Sequence, residues 1–318
     1  MGIRAEAELT QYGRMPNREL AHAPSTIRLG DLEVCRLGYG AMRLPGDEVW
    51  GDPPDRAQAI AVLRRAVELG VQLIDTAWFY GPFVSNRLIR EALHPYPRDL
   101  VIACKLGGKR NADKSWGPAL RPEELREGCE HDLRDLGLER IDVVHLRTSG
   151  WAPVPFLESL DALIALQREG KIRHIALSNV SSAQLLQALE RAPIVAVQNL
   201  FNVHGGSGAL AKMTHAIVDD PDVVLSTCEA RGIAFLPFFP LAIGSLGRSE
   251  TPPVLTEIAR AHDATPAQIA LAWLLARSNV MLPIPGTRSI AHLEENWAAG
   301  RIALSAGDMA RIATLGGA

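Results

Sequence analysis

Five residues apart, Asp75 and Tyr80 stand where an apolar run gives way to a loop, in the segment GVQLIDTAWFYGP over 70–82. A lysine, Lys105, directly closes the apolar run LVIAC, and lysine is seldom fully buried without a partner. A further run, IDVVHLR, carries His145 and Arg147 two residues apart, which puts both on one side of a strand. A phenol beside a cation can act as a general acid. Tyrosine titrates near ~10 in isolation, too high for easy proton exchange at neutral pH. A positive charge at roughly 4 Å, in an effective dielectric of about 20, favours the phenolate by at most about 4 kcal/mol. At about 1.4 kcal/mol per unit, the phenol is expected to drop by up to about three units, toward neutrality. Asp75 would hold the lysine while partly offsetting its effect, and the group as a whole suits proton donation to an oxygen that is gaining charge. The alternative for 70–82 taken alone is a strand-end cap followed by a packing aromatic.

Short apolar runs fall near 37–41, 71–75, 100–104, 141–146, 172–177, 194–198, 233–237 and 280–284, eight in all. Stretches with helical spacing lie between most of them. In 56–69, Ile60, Leu63 and Val67 recur at three- and four-residue steps and Gly70 stops the helix. The segment 121–136 opens with Pro122, Glu123 and Glu124, which suit a helix N-terminus. Helices are also expected over 155–169, 181–190, 222–231 and 265–276. Strand–helix alternation on this scale means a parallel sheet. Eight units without a break point to an α/β protein with a (β/α)8 TIM barrel. Ahead of it, TIRLGDLEV reads as a β-hairpin around Gly30-Asp31, outside the count and placed to plug one end. Active sites of such barrels lie at the C-terminal ends of the strands. That rim is where Asp75, Lys105, His145 and Arg147 fall, with Tyr80 on the loop above.

The chain has 318 residues, 47% hydrophobic and 22% charged, with a net charge of −3. That charge argues against a nucleic-acid partner held by phosphate neutralisation. No apolar stretch is long enough for a membrane span. Residues 1–24 read as a poorly ordered polar arm without the apolar core of a secretory signal, and 25–318 as one barrel domain. Cys35, Cys104, Cys129 and Cys228 show no spacing that suggests zinc or a redox dithiol, so they are taken as reduced thiols of a cytoplasmic protein.

Four motifs, GVQLIDTAWFYG, Lys105 after VIAC, GKIRHIALSN over 170–179 and IPGTRSIAHLEEN over 284–296, together resemble the aldo-keto reductase superfamily. The likeness runs from about residue 27 to the C-terminus. It implies hydride transfer from NADPH to a carbonyl carbon, with Tyr80 as proton donor and Asp75 and Lys105 tuning it. The family's usual histidine falls on Arg147, while His145 lies one inward step deeper. Either Arg147, with a permanent charge, polarises the carbonyl or favours an anionic substrate, or a local shift lets His145 reach the pocket. A hydrogen-bonded core histidine is the remaining reading of His145.

By the same resemblance, Ser178, Asn179 and Gln198 hold the nicotinamide carboxamide. Phe238 takes the place of a ring-stacking tyrosine, keeping its aromatic face. Pro240, Leu241 and Gly244 pass over the pyrophosphate. Gly40, Ala41 and Met42 meet the nicotinamide ribose. Gly286, Thr287 and Ser289 precede a helix whose free N–H groups suit an anion. Arg288 is assigned to the 2′-phosphate of NADP(H), with His292 where another arginine is common. Glu295 and Asn296 are assigned to adenine. No metal is implied.

A small-molecule carbonyl compound is the expected partner; the oligomeric state is not legible. Loops at 43–55, 106–120, 148–155 and 201–221 would wall the pocket with Trp50, Trp78, Phe79, Trp116 and Trp151. The short end after LSAGDMARIATL implies an open pocket for aldehydes, sugar-like carbonyls or pyridoxal-like aromatics, and VVHLR leans toward the last. The alternative is an NADP-binding regulatory or structural barrel subunit with little turnover.

Overall fold

The computed structural model describes residues 24–148, 152–205, 221–242 and 251–316. Its strands are β1 (Thr26–Leu29), β2 (Leu32–Cys35), β3 (Tyr39–Gly40), β4 (Leu73–Asp75), β5 (Val101–Leu106), β6 (Gly108–Arg110), β7 (Trp116–Pro118), β8 (Ile141–Arg147), β9 (Ile172–Ser178), β10 (Ile194–Leu200) and β11 (Ala234–Phe238). The helices that follow the barrel strands include α1 (Arg56–Leu69), α2 (Val84–Leu93), α3 (Pro122–Leu136), α4 (Phe156–Arg168), α5 (Ser182–Leu189) and α6 (Pro221–Arg231). They continue with α7 (Pro253–Ala261), α8 (Pro266–Arg277), α9 (Ile290–Ala298) and α10 (Ala306–Ala313).

Seven strands form one parallel sheet in the order β3-β4-β5-β8-β9-β10-β11. The eighth apolar run closes the ring without becoming a regular strand. On one side Phe235 N–H donates to Val280 O at 2.8 Å and Leu282 N–H to Phe235 O at 2.9 Å. On the other, Gly38 and Gly40 donate to the carbonyls of Pro283 and Pro285 at 2.9 and 3.4 Å. Pro283 and Pro285 carry no N–H, so their side of the seam only accepts and no two-way ladder forms.

Inside the ring, small and branched side chains meet: Leu73, Val101, Ala103, Val143, Ala176, Ala196, Ala234, Leu236, Leu282 and Ile284. Leu29 and Val34 of the β1–β2 hairpin join the same cluster, which plugs the N-terminal end as expected. At the hairpin turn Gly30 has φ +67°, and a Cβ there would fall 2.5 Å from the His174 ring. Its neighbour Asp31 bonds Arg173 and His174, both at 2.6 Å, at the start of β9. Arg36, 8% exposed, ties the end of the hairpin to the eighth stave: Nε reaches Met281 O at 3.1 Å and Nη2 reaches Leu275 O at 2.8 Å and Ser278 O.

Helix starts follow local chemistry. Asp55 accepts from Gln58 N–H at α1, and Ser181 and Thr265 form reciprocal caps with Gln184 and Gln268 at α5 and α8. The spacing did not anticipate α2, α7 and α10, nor the β6–β7 hairpin inside the 106–120 loop. Of the polar arm expected over 1–24, only Pro24 is among the described residues, and it is buried against Gly300. The four cysteines are free and buried. Among the described residues no helix is long and apolar enough to cross a membrane.

Candidate active site

Register carries the ionisable groups to one rim. Asp75 ends β4 opposite Ala103, Lys105 lies two residues further along β5 and opposite His145, and Arg147 ends β8 opposite Ser178. Asp75 and Lys105 are 3% and 2% exposed. Lys105 Nζ is ion-paired with Asp75 Oδ1 and reaches Thr76 O at 3.4 Å. Gln198 Nε2 donates to Asp75 Oδ2 at 2.8 Å, so both carboxylate oxygens are committed.

Tyr80 is 6% exposed, and Lys105 Nζ lies 5.2 Å from its ring centre. The loop that carries it is held aromatic by aromatic. Trp78 stacks on His131 at 5.5 Å and lies over Gly128 of α3, where a Cβ would meet the indole nitrogen at 2.7 Å. Phe79 meets Tyr80 edge-on at 5.3 Å and Trp116 at 6.1 Å. The stretch that reads as either a cap or a catalytic loop is packed as one unit around the Tyr80 ring.

Electrostatics correct one expectation. Burial is the largest influence on Tyr80 and raises its pKa; Lys105 pulls it down, Asp75 pushes it up, Arg147 pulls it down, and the net direction is upward. The phenol therefore keeps its proton at neutral pH instead of falling toward neutrality, because loss of water outweighs the ammonium. For Lys105, burial disfavours the charge, but Asp75 and Tyr80 prevail and raise its pKa. The pair is thus a protonated phenol next to an ammonium.

His145 and Arg147 part company. His145 is fully buried, with Nδ1 3.4 Å from Cys104 O, and burial lowers its pKa to about 4, so it is neutral. Its Nε2 has no partner among the described residues. Arg147 is half-buried; Nη1 donates to Ser178 Oγ at 3.4 Å and the guanidinium lies 5.4 Å from the Phe238 ring centre. Burial lowers the Arg147 pKa from its ordinary value, while Tyr80 and Asp75 oppose that.

Of the remaining sequence candidates, Gly40, Ser178 and Phe238 end barrel strands. Gly40 ends β3, Ala41 O accepts from Ser85 Oγ at 3.0 Å, and Met42 packs beside Phe79 and Tyr80. Ser178 and Asn179 are buried at the end of β9; Asn179 has φ 59° and donates from Nδ2 to Thr148 O at 2.9 Å. Pro240 is buried and Phe238 and Leu241 are half-buried, whereas Gly244 and Trp151 lie outside the described residues. Gly286 is exposed. Thr287 Oγ1 accepts from Ser289 N–H at 3.0 Å, and Ser289 Oγ accepts from His292 N–H at 3.3 Å. Arg288 reaches Pro45 O and Asp47 Oδ1, both at 3.3 Å. His292 and Glu295 are exposed on α9 and Asn296 is buried.

Three supporting contacts were not foreseen. One is the Gln198 bond to Asp75, since that amide was read only as a ligand for the carboxamide. Another is Tyr39, fully buried, whose hydroxyl donates to Thr287 O at 2.6 Å and steadies the segment ahead of α9. The third is Arg110, lying 5.4 Å from the Trp50 ring and 4.2 Å from the Trp116 ring and donating to Glu48 O and Val49 O. It ties the 43–55 and 106–120 loops into one wall. Tyr39 sits in the motif LGYGAM, where a tyrosine on a barrel strand was the available signal; no spacing marks Arg110.

Residues 36–316 match the pattern of the Aldo/keto reductase family. A protein of Escherichia coli (strain K12) named pyridoxine 4-dehydrogenase is 46% identical over 287 residues, covering 88% of this chain and 94% of that protein. Among solved structures, a thermostable aldo-keto reductase in complex with the inhibitor epalrestat superposes with a TM-score of 0.76 at 30% identity, covering 92% of this chain and 99% of that one. An aldo-keto reductase from Klebsiella pneumoniae in complex with NADPH does so with a TM-score of 0.71 at 25% identity, covering 92% and 95%.

Proposed function

The chain belongs to the aldo/keto reductase family, and from that premise we propose that it reduces a pyridoxal-type aromatic aldehyde to the alcohol with NADPH. The observation that carries the reading is the Lys105 ammonium, fixed by Asp75 and set against a protonated Tyr80 at the barrel rim.

The donor chemistry of the rim fits the cofactor. Arg288 stands just ahead of α9, and its carboxylate partner Asp47 is exposed and 3.3 Å away, an ion pair that a phosphate can displace. Thr287, Ser289 and the first N–H groups of α9 would share that anion, with His292, Glu295 and Asn296 along the same helix. Phe238 offers a face for the nicotinamide ring, beside Ser178, Asn179 and Gln198. Gly40, Ala41 and Met42 would line the ribose side, and Pro240 and Leu241 the pyrophosphate side. When bound, NADPH supplies the hydride.

Tyr80 holds its hydroxyl toward the carbonyl oxygen and gives up its proton as negative charge grows there. The resulting phenolate is stabilised by Lys105, and Asp75 keeps that ammonium from swinging away. Arg147 contributes a second, permanent positive charge, which stabilises the developing alkoxide and attracts a phenolic or anionic oxygen next to the aldehyde. His145, neutral and buried, serves the core. Similarity to a protein named pyridoxine 4-dehydrogenase supports the choice of aldehyde, as does a cation suited to a ring hydroxyl.

The test is the loss of nicotinamide absorbance on mixing the protein with NADPH and pyridoxal, alongside a panel of aliphatic and sugar aldehydes. Faster turnover of pyridoxal than of the panel is expected. Fluorescence-detected NADPH binding without turnover of any aldehyde would instead favour the regulatory-subunit reading, and absence of binding would end both.

A further inference from the structure

Between the barrel wall and helices α2 and α3, three buried polar side chains run in series. Thr76 Oγ1 donates to Asn86 Oδ1 at 2.8 Å, and Asn86 Nδ2 donates to Asp132 Oδ1 at 2.6 Å. All three residues have no exposed surface. The second carboxyl oxygen, Asp132 Oδ2, has no nitrogen or oxygen partner among the described residues, and the Cys104 thiol stands beside the carboxyl. A leucine there would avoid the cost of burying a partly satisfied carboxyl. The polarity of this series instead leads to the reaction centre. Thr76 directly follows Asp75, its N–H donates to Ala103 O at 2.8 Å, and its carbonyl is the second acceptor of Lys105 Nζ.

We infer that Asp132 is a positioning residue for the Lys105 ammonium, acting through Asn86 and Thr76 to fix the carbonyl that Lys105 uses and hence the seat of the ammonium against Tyr80. The inference rests on the proton-donor reading of Tyr80 given above. Its logic is directional. A carboxamide presents an acceptor at one end and donors at the other, and two neighbours must decide which way it faces. With an acceptor oxygen at 132, the Asn86 amide turns its Nδ2 there and its Oδ1 toward Thr76. The Thr76 hydroxyl then has to donate, which fixes its rotamer and the peptide it belongs to.

Around the carboxyl stand Asp135 and Cys129 on its own helix, and Cys104 and Lys105 on β5; Asn86 on α2 is neutral. Burial raises Asp132 to about 8, and Asn86, Lys105 and Cys104 work against that while Asp135 adds to it. The group is thus chiefly a neutral acid at pH 7, and asparagine preserves both its acceptor oxygen and its lack of charge.

The experiment uses full-length wild type, Asp132→Leu, Thr76→Val, Asp132→Asn and Tyr80→Phe, with NADPH and pyridoxal. It reads the single-turnover rate as a function of pH, the NADPH dissociation constant and the unfolding midpoint. Asp132→Leu and Thr76→Val are each expected to slow the chemical step about tenfold with NADPH binding unchanged. In both, the high-pH limb of the reduction rate should move upward, because a displaced ammonium no longer draws the phenol down. Asp132→Asn should restore both the rate and the limb. Should Asp132→Leu not fold, the isosteric Thr76→Val carries the test alone. A wild-type rate and limb in Thr76→Val, a slower rate with the limb unmoved, or an Asp132→Asn enzyme as impaired as Asp132→Leu would each overturn the inference. Tyr80→Phe at the wild-type rate would overturn the proton-donor reading instead, and the two failures are separable because they fall on different variants.

Discussion

Lys105 Nζ stands 5.2 Å from the centre of the Tyr80 ring, and the Asp75 carboxylate holds it there. If Tyr80 donates its proton as proposed, the cation has less to do with creating a phenolate in the resting protein than with receiving one. Burial keeps the phenol protonated, and the pairing with Asp75 keeps the ammonium charged beside it. Tyr80→Phe is therefore expected to lose about 10²–10⁴-fold in kcat for reduction while NADPH binding is retained. Lys105→Met should fall in the same range. The measurement is steady-state reduction of pyridoxal together with a fluorescence titration of NADPH. Reduction by the wild type should hold through neutral pH and decline only in alkaline solution, as the raised phenol finally ionises.

Arg147 and His145 give opposite expectations although they share one strand face. Arg147→Met removes the cation beside Tyr80 and should lower kcat/KM for pyridoxal by about 10²-fold, the size found for loss of one preorganised charge-stabilising donor. His145→Gln should leave kcat/KM close to that of the wild type. With His145 held neutral down to about 4, the acid side of the kcat/KM profile should show no step near the ordinary histidine value. A clear step there, abolished by His145→Gln, would return His145 to the chemistry.

Most of this geometry was legible in the residues. The eight apolar runs marked every stave of the barrel, and the placement of Asp75 and Lys105 at the ends of two of them marked the rim. The direction of the Tyr80 shift was not legible, because a pairwise Coulomb argument contains the ammonium but not the loss of water around the phenol. The eighth stave read as a strand by its hydrophobicity, yet Pro283 and Pro285 deny it a two-way ladder. Helix α2 escaped notice because it is ten residues long and follows Phe83 in a left-handed conformation instead of a polar cap. The Thr76–Asn86–Asp132 series was invisible for a different reason. Its members lie 10 and 46 residues apart, and only the packing of two helices on the barrel brings them together.

Asp132 also has a consequence for stability. Its pKa in the fold, about 8, lies above the ordinary aspartate value, so the folded protein binds a proton that the unfolded chain has released. The stabilisation is fully present below the unfolded value and is lost as pH rises through about 8. His145 acts in the opposite sense, costing stability on acidification from its ordinary value toward about 4. Between roughly 6.5 and 8 only the aspartate of this pair titrates. Urea unfolding of the wild type should therefore show a midpoint that falls across that interval, and Asp132→Asn should flatten the slope. An unchanged slope would mean that Asp132 is ionised in the fold.

The N-terminal plug depends on Arg36. Its guanidinium satisfies the carbonyls of Leu275, Ser278 and Met281, groups at the end of α8 and the start of the eighth stave. Arg36→Met keeps the bulk of the stem and removes the guanidinium from all three carbonyls, of which Ser278 O still accepts from Met281 N–H at 3.2 Å. The loss should be on the order of 2–4 kcal/mol, given that hydrogen bonds from charged groups count for more than neutral ones. Urea unfolding would measure it. Activity at low temperature should be spared, since the plug lies at the end of the barrel away from Tyr80.

Arg288 should govern which dinucleotide the protein prefers. In the structure its guanidinium rests between Pro45 O and the exposed Asp47 carboxylate, both at 3.3 Å. These contacts are long, and one of them is with a carboxylate largely in water, so a phosphate dianion offers a better partner. Arg288→Ala should weaken NADPH binding by about 10–100-fold, the equivalent of roughly 1.4–2.8 kcal/mol, and leave NADH binding nearly untouched. Removing the competitor has the opposite sign: Asp47→Asn frees Arg288 from its ion pair and should tighten NADPH binding modestly, with the gain shrinking as salt is added. Both are read by fluorescence titration of the two cofactors. If Arg288→Ala weakened NADPH and NADH equally, the guanidinium would be acting on a part common to both cofactors, such as the pyrophosphate, and the assignment to the 2′-phosphate would fall.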